Sequence, residues 1–177
     1  MKAVALTGTP GTGKSTISRV LKERGYNVVR VMDLVRMTGT HSAYSRKDRC
    51  HIVDTEEFGT LCEPVWSSGD GLTIVEGHLA HFASCPAAIV LRCHPSKLSA
   101  RLENRGWKRG KVLENVQSEV LDVILIEATE RVKCVHEIDT SDLRPSRAAD
   151  MVEMVIEGKL RGEPLKSRWR GEIEKWF

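Results

Sequence analysis

The sequence predicts an α/β fold in three layers, α/β/α, built around about five parallel strands. Two observations carry this prediction: a glycine-rich loop between a short apolar run and a helical pattern, and four further apolar runs that alternate with helical patterns. Runs rich in Val, Ile and Leu are typical of parallel strands that are covered on both faces. The five runs are 3–7, 26–31, 72–75, 87–91 and 135–138.

Length and composition are those of one globular domain, 1–177, with 41% hydrophobic and 29% charged residues. No apolar run approaches the roughly 18 residues of a membrane span, and we expect no signal peptide, because the first predicted strand begins at residue 3. The five cysteines contain no C-x-x-C pair, so we expect reduced thiols, a cytoplasmic location and no membrane partner. A net charge of +3 is too small to indicate a nucleic-acid partner.

The first strand is followed by a phosphate-binding motif. Residues 8–16 read Gly-Thr-Pro-Gly-Thr-Gly-Lys-Ser-Thr, which matches the G-x-x-x-x-G-K-[ST] pattern of a P-loop. The glycines let several backbone N–H groups face one anion, and the helix that follows adds its positive end. We expect the lysine to reach the β- and γ-phosphates and the serine hydroxyl to hold Mg²⁺. The motif therefore predicts that the chain binds a nucleoside triphosphate.

An insertion at about 30–53 follows the second strand. Asp33 is expected to cap a short helix, and Arg36, one turn later, to project toward the site. A guanidinium suits bidentate contact with a phosphate, so Arg36 is the candidate monophosphate-binding residue. The alternative is a solvent-exposed arginine on a helix. The remainder of the insertion is polar and irregular, with basic residues at Arg46, Lys47 and Arg49.

The third strand ends in a carboxylate, Glu76, with His78 two residues later. An acid at this place in P-loop enzymes orients Mg²⁺, directly or through water. The alternative is that Glu76 merely ends a strand. His78 is expected to position a water or a phosphate acceptor near the γ-phosphate, or else to cap the next turn as a structural histidine. His81 is expected at the surface or in packing.

Two arginines, Arg101 and Arg105, stand four residues apart on a helix predicted over 95–105, so they share a face. We expect them to neutralise charge during phosphoryl transfer. The basic segment at about 104–114 is expected to form a short lid; the alternative is an RNA-facing surface on which Trp107 stacks a base. The loop at 139–145 is expected to frame the nucleotide base.

The end of the chain, 158–177, carries six basic and three acidic residues together with Trp169, Trp176 and Phe177. We expect either a C-terminal helix that docks these aromatics or a surface for a partner.

Taken together, these residues resemble those of a nucleoside monophosphate kinase. Ordinary adenylate kinases carry Asp-Gly-Phe-Pro-Arg after the third strand, where this chain has Glu-Gly-His-Leu-Ala at 76–80 and lacks the arginine. The P-loop, the pair Glu76 and His78, and the segments 101–107 and 115–119 are similar to the adenylate kinase isoenzyme six, or CINAP, family. Its archaeal members are often described as "putative adenylate kinases". The likeness spans roughly residues 2–157.

The resemblance implies a P-loop NTPase fold and transfer of phosphate from ATP to AMP with Mg²⁺, giving two ADP. It also implies that Arg105 is the lid arginine on ATP, with Arg101 close by, and that His78 is the histidine of a Walker-B-like motif. The ATP-binding residues that it implies are Gly11, Gly13, Lys14, Ser15 and Thr16. Family members further show ATPase activity and assist small ribosomal subunit maturation by binding a platform ribosomal protein in pre-ribosomal particles. Two departures are a basic rather than acidic insertion and the tail at 158–177, which has no counterpart.

Three other functions occur on a P-loop scaffold. An ATP-hydrolysing assembly factor with little kinase activity is the main alternative. A signalling GTPase is disfavoured because no Asn-Lys-x-Asp base-reading motif occurs. A small-metabolite kinase remains open, since acceptor pockets are built by side chains that the motif does not specify.

Overall fold

The computed structural model describes residues 2–45, 50–67, 71–160 and 169–177. Its strands are β1 (Ala3–Thr7), β2 (Asn27–Arg30), β3 (His41–Ser45), β4 (Cys50–Val53), β5 (Thr73–Glu76), β6 (Ala87–Arg92) and β7 (Cys134–Asp139). Five of them form one parallel sheet in the order β2-β5-β1-β6-β7. The predicted five-stranded α/β fold is confirmed, and no predicted strand end is wrong by more than one residue.

Helices cover both faces of this sheet and make the three predicted layers. They are α1 (Lys14–Glu23), α2 (Val31–Thr38), α3 (Thr55–Ser67), α4 (Pro95–Glu103), α5 (Arg109–Val120), α6 (Val123–Arg131), α7 (Pro145–Ile156) and α8 (Ile173–Trp176), with 3-10 turns at Ala80–Phe82 and Arg170–Glu172. On one face α1 and α7 bury Ile17, Leu21 and Val152. On the other face α2 and α3 bury Leu34 and Phe58.

The central strand shows why a strand that is covered on both faces is mainly apolar. Every residue of β1 is fully buried. Ala3 and Ala5 pack into the core beneath α2 and α3, whereas Val4 and Leu6 pack into the core beneath α1 and α7. Because successive side chains of a strand point to opposite faces, a strand covered on both sides has no position left for a polar residue facing solvent.

The insertion after β2 is more regular than predicted. Helix α2 is followed by an antiparallel hairpin of β3 and β4, where the sequence indicated irregular chain. The prediction that Asp33 caps the helix is wrong, because α2 begins at Val31 and Arg30 occupies the capping position. Asp33 lies in the first turn. The predicted basic residues 46, 47 and 49 lie outside the described residues.

The segment 104–114, predicted to form a lid, is partly helical. Helix α4 ends at Glu103, so Arg105 lies beyond the helix rather than on its face as predicted. The chain then turns through Gly106, whose φ of +75° is in the left-handed region, and helix α5 begins at Arg109. The connection between the two helices is therefore 104–108, and the second half of the predicted lid is helical.

Two of the three aromatic residues in the C-terminal segment 169–177 pack against the domain. This agrees with the expectation that the segment docks its aromatics. Trp169 is buried, and Trp176 packs against the apolar cluster between α4 and α5. Phe177 remains 66% exposed. Residues 161–168 of the predicted tail lie outside the described residues. Within the described part of the chain, no helix has both the length and the apolar character that crossing a membrane requires.

Candidate functional site

The candidate site lies at the carboxyl ends of the parallel strands, where ligands of open α/β sheets bind. The P-loop leaves the end of β1, which is paired with β5 on one side and β6 on the other. Leu6 is in register with Glu76, the last residue of β5. The loop, Glu76 and the turn that carries His78 therefore meet at one edge of the sheet.

The P-loop has the curled backbone that its glycines predict. Gly11 and Gly13 have φ values of +97° and +107°. Gly11 has no room for a side chain, since a Cβ there would lie 2.7 Å from a methyl carbon of Leu98 on α4. Thr12 closes the loop by donating from its backbone N–H and from its hydroxyl to the carbonyl of Thr9, at 3.2 and 2.9 Å.

Lys14 lies at the centre of this loop. Its ammonium group donates to the carbonyls of Gly8 and Thr9, at 2.6 and 3.0 Å. The pKa of Lys14 is lowered to about 8, chiefly by burial and in small part by the charge of Arg105, whereas Glu76 and Glu119 act in the opposite direction. A polyphosphate would supply the negative charge that favours the ammonium form.

Ser15 and Glu76 form an oxygen-rich pair beside the lysine. The Ser15 hydroxyl donates to Glu76 Oε1 at 3.0 Å, and the Glu76 side chain is buried whereas Ser15 is exposed. A hydroxyl and a carboxylate are hard oxygen donors of the kind that Mg²⁺ takes together with substrate phosphates. Among the described residues no group of three or more His, Cys, Asp or Glu could hold a metal ion, so a metal here would take most of its ligands from phosphate and water.

The two histidines after β5 occupy different environments. His78 lines the cavity in front of the P-loop and is exposed there, yet the surrounding protein atoms and the Lys14 charge lower its pKa. His81 is buried, which agrees with the expectation of a packing residue. Its ring forms hydrogen bonds with Thr7 Oγ1 at 3.0 Å and Glu127 Oε2 at 3.2 Å. Of the two, His78 is the one that lines the cavity beside the P-loop.

A cavity of about 510 Å³ opens on the α2 side of the P-loop. At the carboxyl ends of β1 and β5 the cavity is lined by Lys14, Ser15, Glu76 and His78. The rest of its wall includes Arg30, Asp33 and Arg36, from the end of β2 and from α2, and Arg105. Asp33 accepts from Arg30 Nε at 2.9 Å and from Arg36 Nη1 at 3.2 Å. Arg36 thus lines the cavity, and its side chain is 70% exposed.

A second cavity, of about 440 Å³, opens on the other side of the same loop. Its wall combines P-loop and α1 residues with the loop after β7, and includes Gly11, Gly13, Thr16, Arg101, Arg105, Thr140 and Pro145. The loop at 139–145 thus forms part of the wall of this second cavity. Arg105 lines both cavities.

Arg101 is held differently from Arg105. Its guanidinium donates to the carbonyls of Thr140 and Ser141, at 2.7 and 3.3 Å, and to the Thr140 hydroxyl at 3.2 Å. Thr140 in turn donates to the carbonyl of Thr12 at 2.7 Å. Arg101 therefore joins the β7 loop to the P-loop, whereas Arg105 is exposed.

Sequence reasoning missed a buried ionic cluster behind the P-loop. Arg92, at the end of β6, is almost fully buried and donates to Glu119 at 2.8 Å, to Glu137 at 2.8 Å and to Asp122. Burial alone would lower the pKa of Arg92, but the carboxylates raise it above its ordinary value. Thr9 donates to the other oxygen of Glu119 at 2.5 Å. An arginine that ends an otherwise apolar strand was the signal that could have indicated this cluster.

Comparison with known proteins agrees with this geometry. The family model described as an AAA domain matches residues 4–122, about two thirds of the chain. A protein named "Putative adenylate kinase" from Archaeoglobus fulgidus is 40% identical over 175 residues, covering 97% of this chain and 93% of that protein. Its namesake from Methanothermobacter thermautotrophicus is 40% identical over 157 residues, covering 88% and 90%.

A solved structure supports the fold alone. The crystal structure of TT1252 from Thermus thermophilus matches with a TM-score of 0.53 and 16% identity, covering 91% of this chain and 98% of that one. The extent of the matches to the AAA-domain model and to the archaeal proteins, together with the P-loop and parallel sheet, establishes the family. This chain belongs to the P-loop nucleoside monophosphate kinase family that includes the archaeal proteins named "Putative adenylate kinase".

Proposed function

We propose that the protein is an adenylate kinase-type enzyme that transfers the γ-phosphoryl group of ATP to AMP, with Mg²⁺, and forms two ADP. The observation that carries the proposal is the pair of cavities on opposite sides of one P-loop, both lined by Gly11, Gly13 and Arg105. A phosphoryl donor and an acceptor must approach one another in line, which needs two pockets that meet at the transferring phosphate.

In this proposal the cavity beside Thr140 and Pro145 takes the nucleoside of ATP, and its phosphates follow the P-loop to Lys14. The cavity beside Arg36 takes the monophosphate. Lys14, Arg36 and Arg105 then surround the phosphoryl group and neutralise the charge that spreads over its oxygens. Arg101, a further predicted catalytic residue, would act by holding the wall between Thr12 and Thr140 in place.

The proposed metal ligands are Ser15 and Glu76, whose buried carboxylate and adjacent hydroxyl suit a hard cation. A bound Mg²⁺ would neutralise phosphate charge and orient the β- and γ-oxygens. No general base is required of the protein, because the accepting phosphate oxygen is already ionised at neutral pH.

The deciding experiment measures ADP formation from ATP and Mg²⁺ with and without AMP. We expect AMP to stimulate ADP formation strongly, and Arg36→Ala to raise the KM for AMP about ten- to hundredfold with little change in the KM for ATP, as expected for loss of a charge-assisted bond. The matched control is Arg147→Ala, an exposed arginine on α7. ATP turnover that is indifferent to AMP, CMP and dAMP would contradict the proposal.

Hydrolysis of ATP is a second candidate activity, favoured by the exposed position of His78 on the cavity wall, two residues after Glu76. A histidine whose pKa is lowered is neutral near pH 7 and can accept a hydrogen bond from an attacking water. If this holds, His78→Ala will reduce AMP-independent hydrolysis without weakening ATP binding. Equal hydrolysis by the variant and the unaltered enzyme would dismiss this role.

The resemblance to the isoenzyme-six family is the sole support for a role in small ribosomal subunit maturation. A small-subunit platform ribosomal protein and pre-ribosomal particles are the proposed partners. Affinity capture of the chain with ATP, ADP or no nucleotide tests this: recovery of small-subunit precursors supports it, and their absence in all three states refutes it.

A further inference from the structure

The segment 115–119 stood out in the sequence, and the proposed chemistry leaves its last residue, Glu119, without a role. Glu119 lies on α5 and is 2% exposed. Its two carboxylate oxygens have different partners. Oε2 accepts from the Thr9 hydroxyl in the P-loop, at 2.5 Å. Oε1 accepts from Arg92 Nε at 2.8 Å, from the backbone N–H of Cys93 at 3.0 Å and from the indole N–H of Trp169 at 3.3 Å.

Thr9 is not a peripheral part of the P-loop. Its carbonyl accepts the Lys14 ammonium at 3.0 Å and both the N–H and the hydroxyl of Thr12. The Glu119 carboxylate thus fixes the residue that holds the loop closed and that contacts the lysine. Its negative charge also favours the ammonium form of Lys14.

Trp169 brings the C-terminal segment to the same carboxylate. The residue is 8% exposed, and the edge of its ring meets His94 with 5.2 Å between centroids. The rest of the segment is fastened to α4 and α5: Lys175 donates to Ser96 Oγ at 2.8 Å, and Gln117 donates to the Trp176 carbonyl at 2.8 Å. Segment 169–177 therefore bridges the two helices that flank the connection 104–108.

We propose that Trp169 is a positioning residue for the nucleotide site: through Glu119 and Thr9, docking of the C-terminal segment holds the P-loop in its phosphate-binding conformation. The inference rests on the proposed binding of a nucleoside polyphosphate at the P-loop, and adds a regulatory contact from the far end of the chain. Because coupling between two sites is reciprocal, a bound nucleotide must also stabilise the docked segment.

The first test measures the Kd of ADP with Mg²⁺ by calorimetry for Trp169→Phe, which keeps a buried ring and removes the indole donor. We expect about five- to tenfold weaker binding, the lower range of coupling between sites. The matched control is Trp66→Phe, which also removes a buried indole bond, at 2.8 Å to the Ala83 carbonyl, in the core beneath α2 and α3. This control should change the Kd by less than twofold. An unchanged Kd for Trp169→Phe overturns the inference.

A double-mutant cycle distinguishes an effect of Trp169 through Glu119 and Thr9 from a general loss of stability. Thr9→Val keeps the shape of Thr9 and removes its hydroxyl donor to Glu119. In that background Trp169→Phe should have little further effect on the Kd, since the connection is already broken. Equal fold-changes in both backgrounds would show that Trp169 does not act through Thr9, and would overturn the inference.

Hydrogen exchange on the unaltered protein gives a readout that needs no variant to fold. The amides of Glu172 and Phe177 are bonded within the segment, to the carbonyls of Trp169 and Ile173. Saturating ADP with Mg²⁺ should slow their exchange about tenfold, and exchange unchanged by bound ADP overturns the inference. If ADP does not bind at all, the proposed function fails too; if ADP binds but AMP is not phosphorylated, only the kinase proposal fails.

Discussion

The hydroxyl of Ser15 lies 3.0 Å from a carboxylate oxygen of Glu76, although 61 positions separate the two residues. Parallel pairing brings them together, since Leu6 on β1 is in register with Glu76 on β5 and the P-loop follows directly from β1. A hydroxyl on the first turn of a helix and a carboxylate at a strand end thereby present two oxygen atoms to one point beside the P-loop.

Replacing Glu76 with Gln tests this pair as a magnesium site. The amide keeps the size of the side chain and removes its charge, so we expect the Mg²⁺ concentration for half-maximal ADP formation to rise about tenfold or more. Titration of activity with Mg²⁺ at fixed ATP measures it. Glu23→Gln, an exposed acid on the same helix as Ser15, is the control and should leave the titration unchanged. An identical Mg²⁺ requirement for Glu76→Gln would argue against the site.

Lys14 should take up a proton when a nucleotide binds at alkaline pH. Burial lowers its pKa to about 8, so above pH 8 much of the free protein carries a neutral amine. Phosphate oxygens favour the ammonium form and raise the pKa again, so binding at pH 8.5–9.5 absorbs protons and the affinity for ADP falls as the pH rises through 8.

Calorimetry in buffers of different ionisation enthalpy counts these protons. Proton uptake should be small at pH 6.5 and increase toward pH 9. Lys14→Arg is the matched variant: its guanidinium stays charged throughout this range, so the lysine contribution to uptake disappears whatever happens to the affinity. Uptake that is the same in both proteins would show that another group titrates.

The parts of the fold that the sequence predicted are those with local signals. Apolar runs located five strands to within one residue, and the spacing of Gly13, Lys14 and Ser15 located the P-loop and α1. The predicted helix extended as far as Arg105, because charge and spacing do not indicate where a helix ends. The chain turns instead at Gly106, which has a positive φ. The hairpin of β3 and β4 contains no apolar run longer than two residues, because His and Ser interrupt it, and it therefore gave no strand signal.

The missed part of the site depends on pairing over long distances. Thr9 and Glu119 are 110 positions apart, and Arg92 meets Glu137 across 45. The local sequence around each of these residues does not indicate which residue it will pair with. Only the arrangement of β6, α5 and β7 around the P-loop brings them within hydrogen-bonding distance.

Alanine variants at Gly8 and Gly25 distinguish the cost of backbone strain from that of a steric clash. Both have positive φ, +133° and +94°, so an alanine at either position is strained by about 1–2 kcal/mol. A Cβ at Gly8 would also lie 2.3 Å from the backbone carbonyl oxygen of Leu91, whereas at Gly25 no atom lies within 4 Å. Gly8→Ala should therefore lower the free energy of unfolding well beyond Gly25→Ala and abolish ADP binding. Chemical denaturation of both variants measures this, and equal losses would contradict the assigned clash.

His81 should make the protein sensitive to mild acid. Burial lowers its pKa to about 4, with smaller contributions from the charges of Arg131 and His78, whereas an unfolded histidine titrates near 6.5. Between these values the unfolded chain binds a proton that the folded protein excludes. The free energy of unfolding should therefore fall as the pH is lowered from 6.5 to 4, by about 3 kcal/mol for this group.

His81→Gln isolates this contribution, because glutamine can still bond Thr7 or Glu127 but does not titrate. Burial raises the pKa of the facing Glu127, which alone would favour the folded state as the pH falls, so the informative quantity is the difference between the two proteins. That difference should shift in favour of the variant by about 3 kcal/mol between pH 6.5 and pH 4 in urea denaturation. A difference that stays constant over this range would mean that His81 takes up its proton in the folded protein as readily as in the unfolded chain.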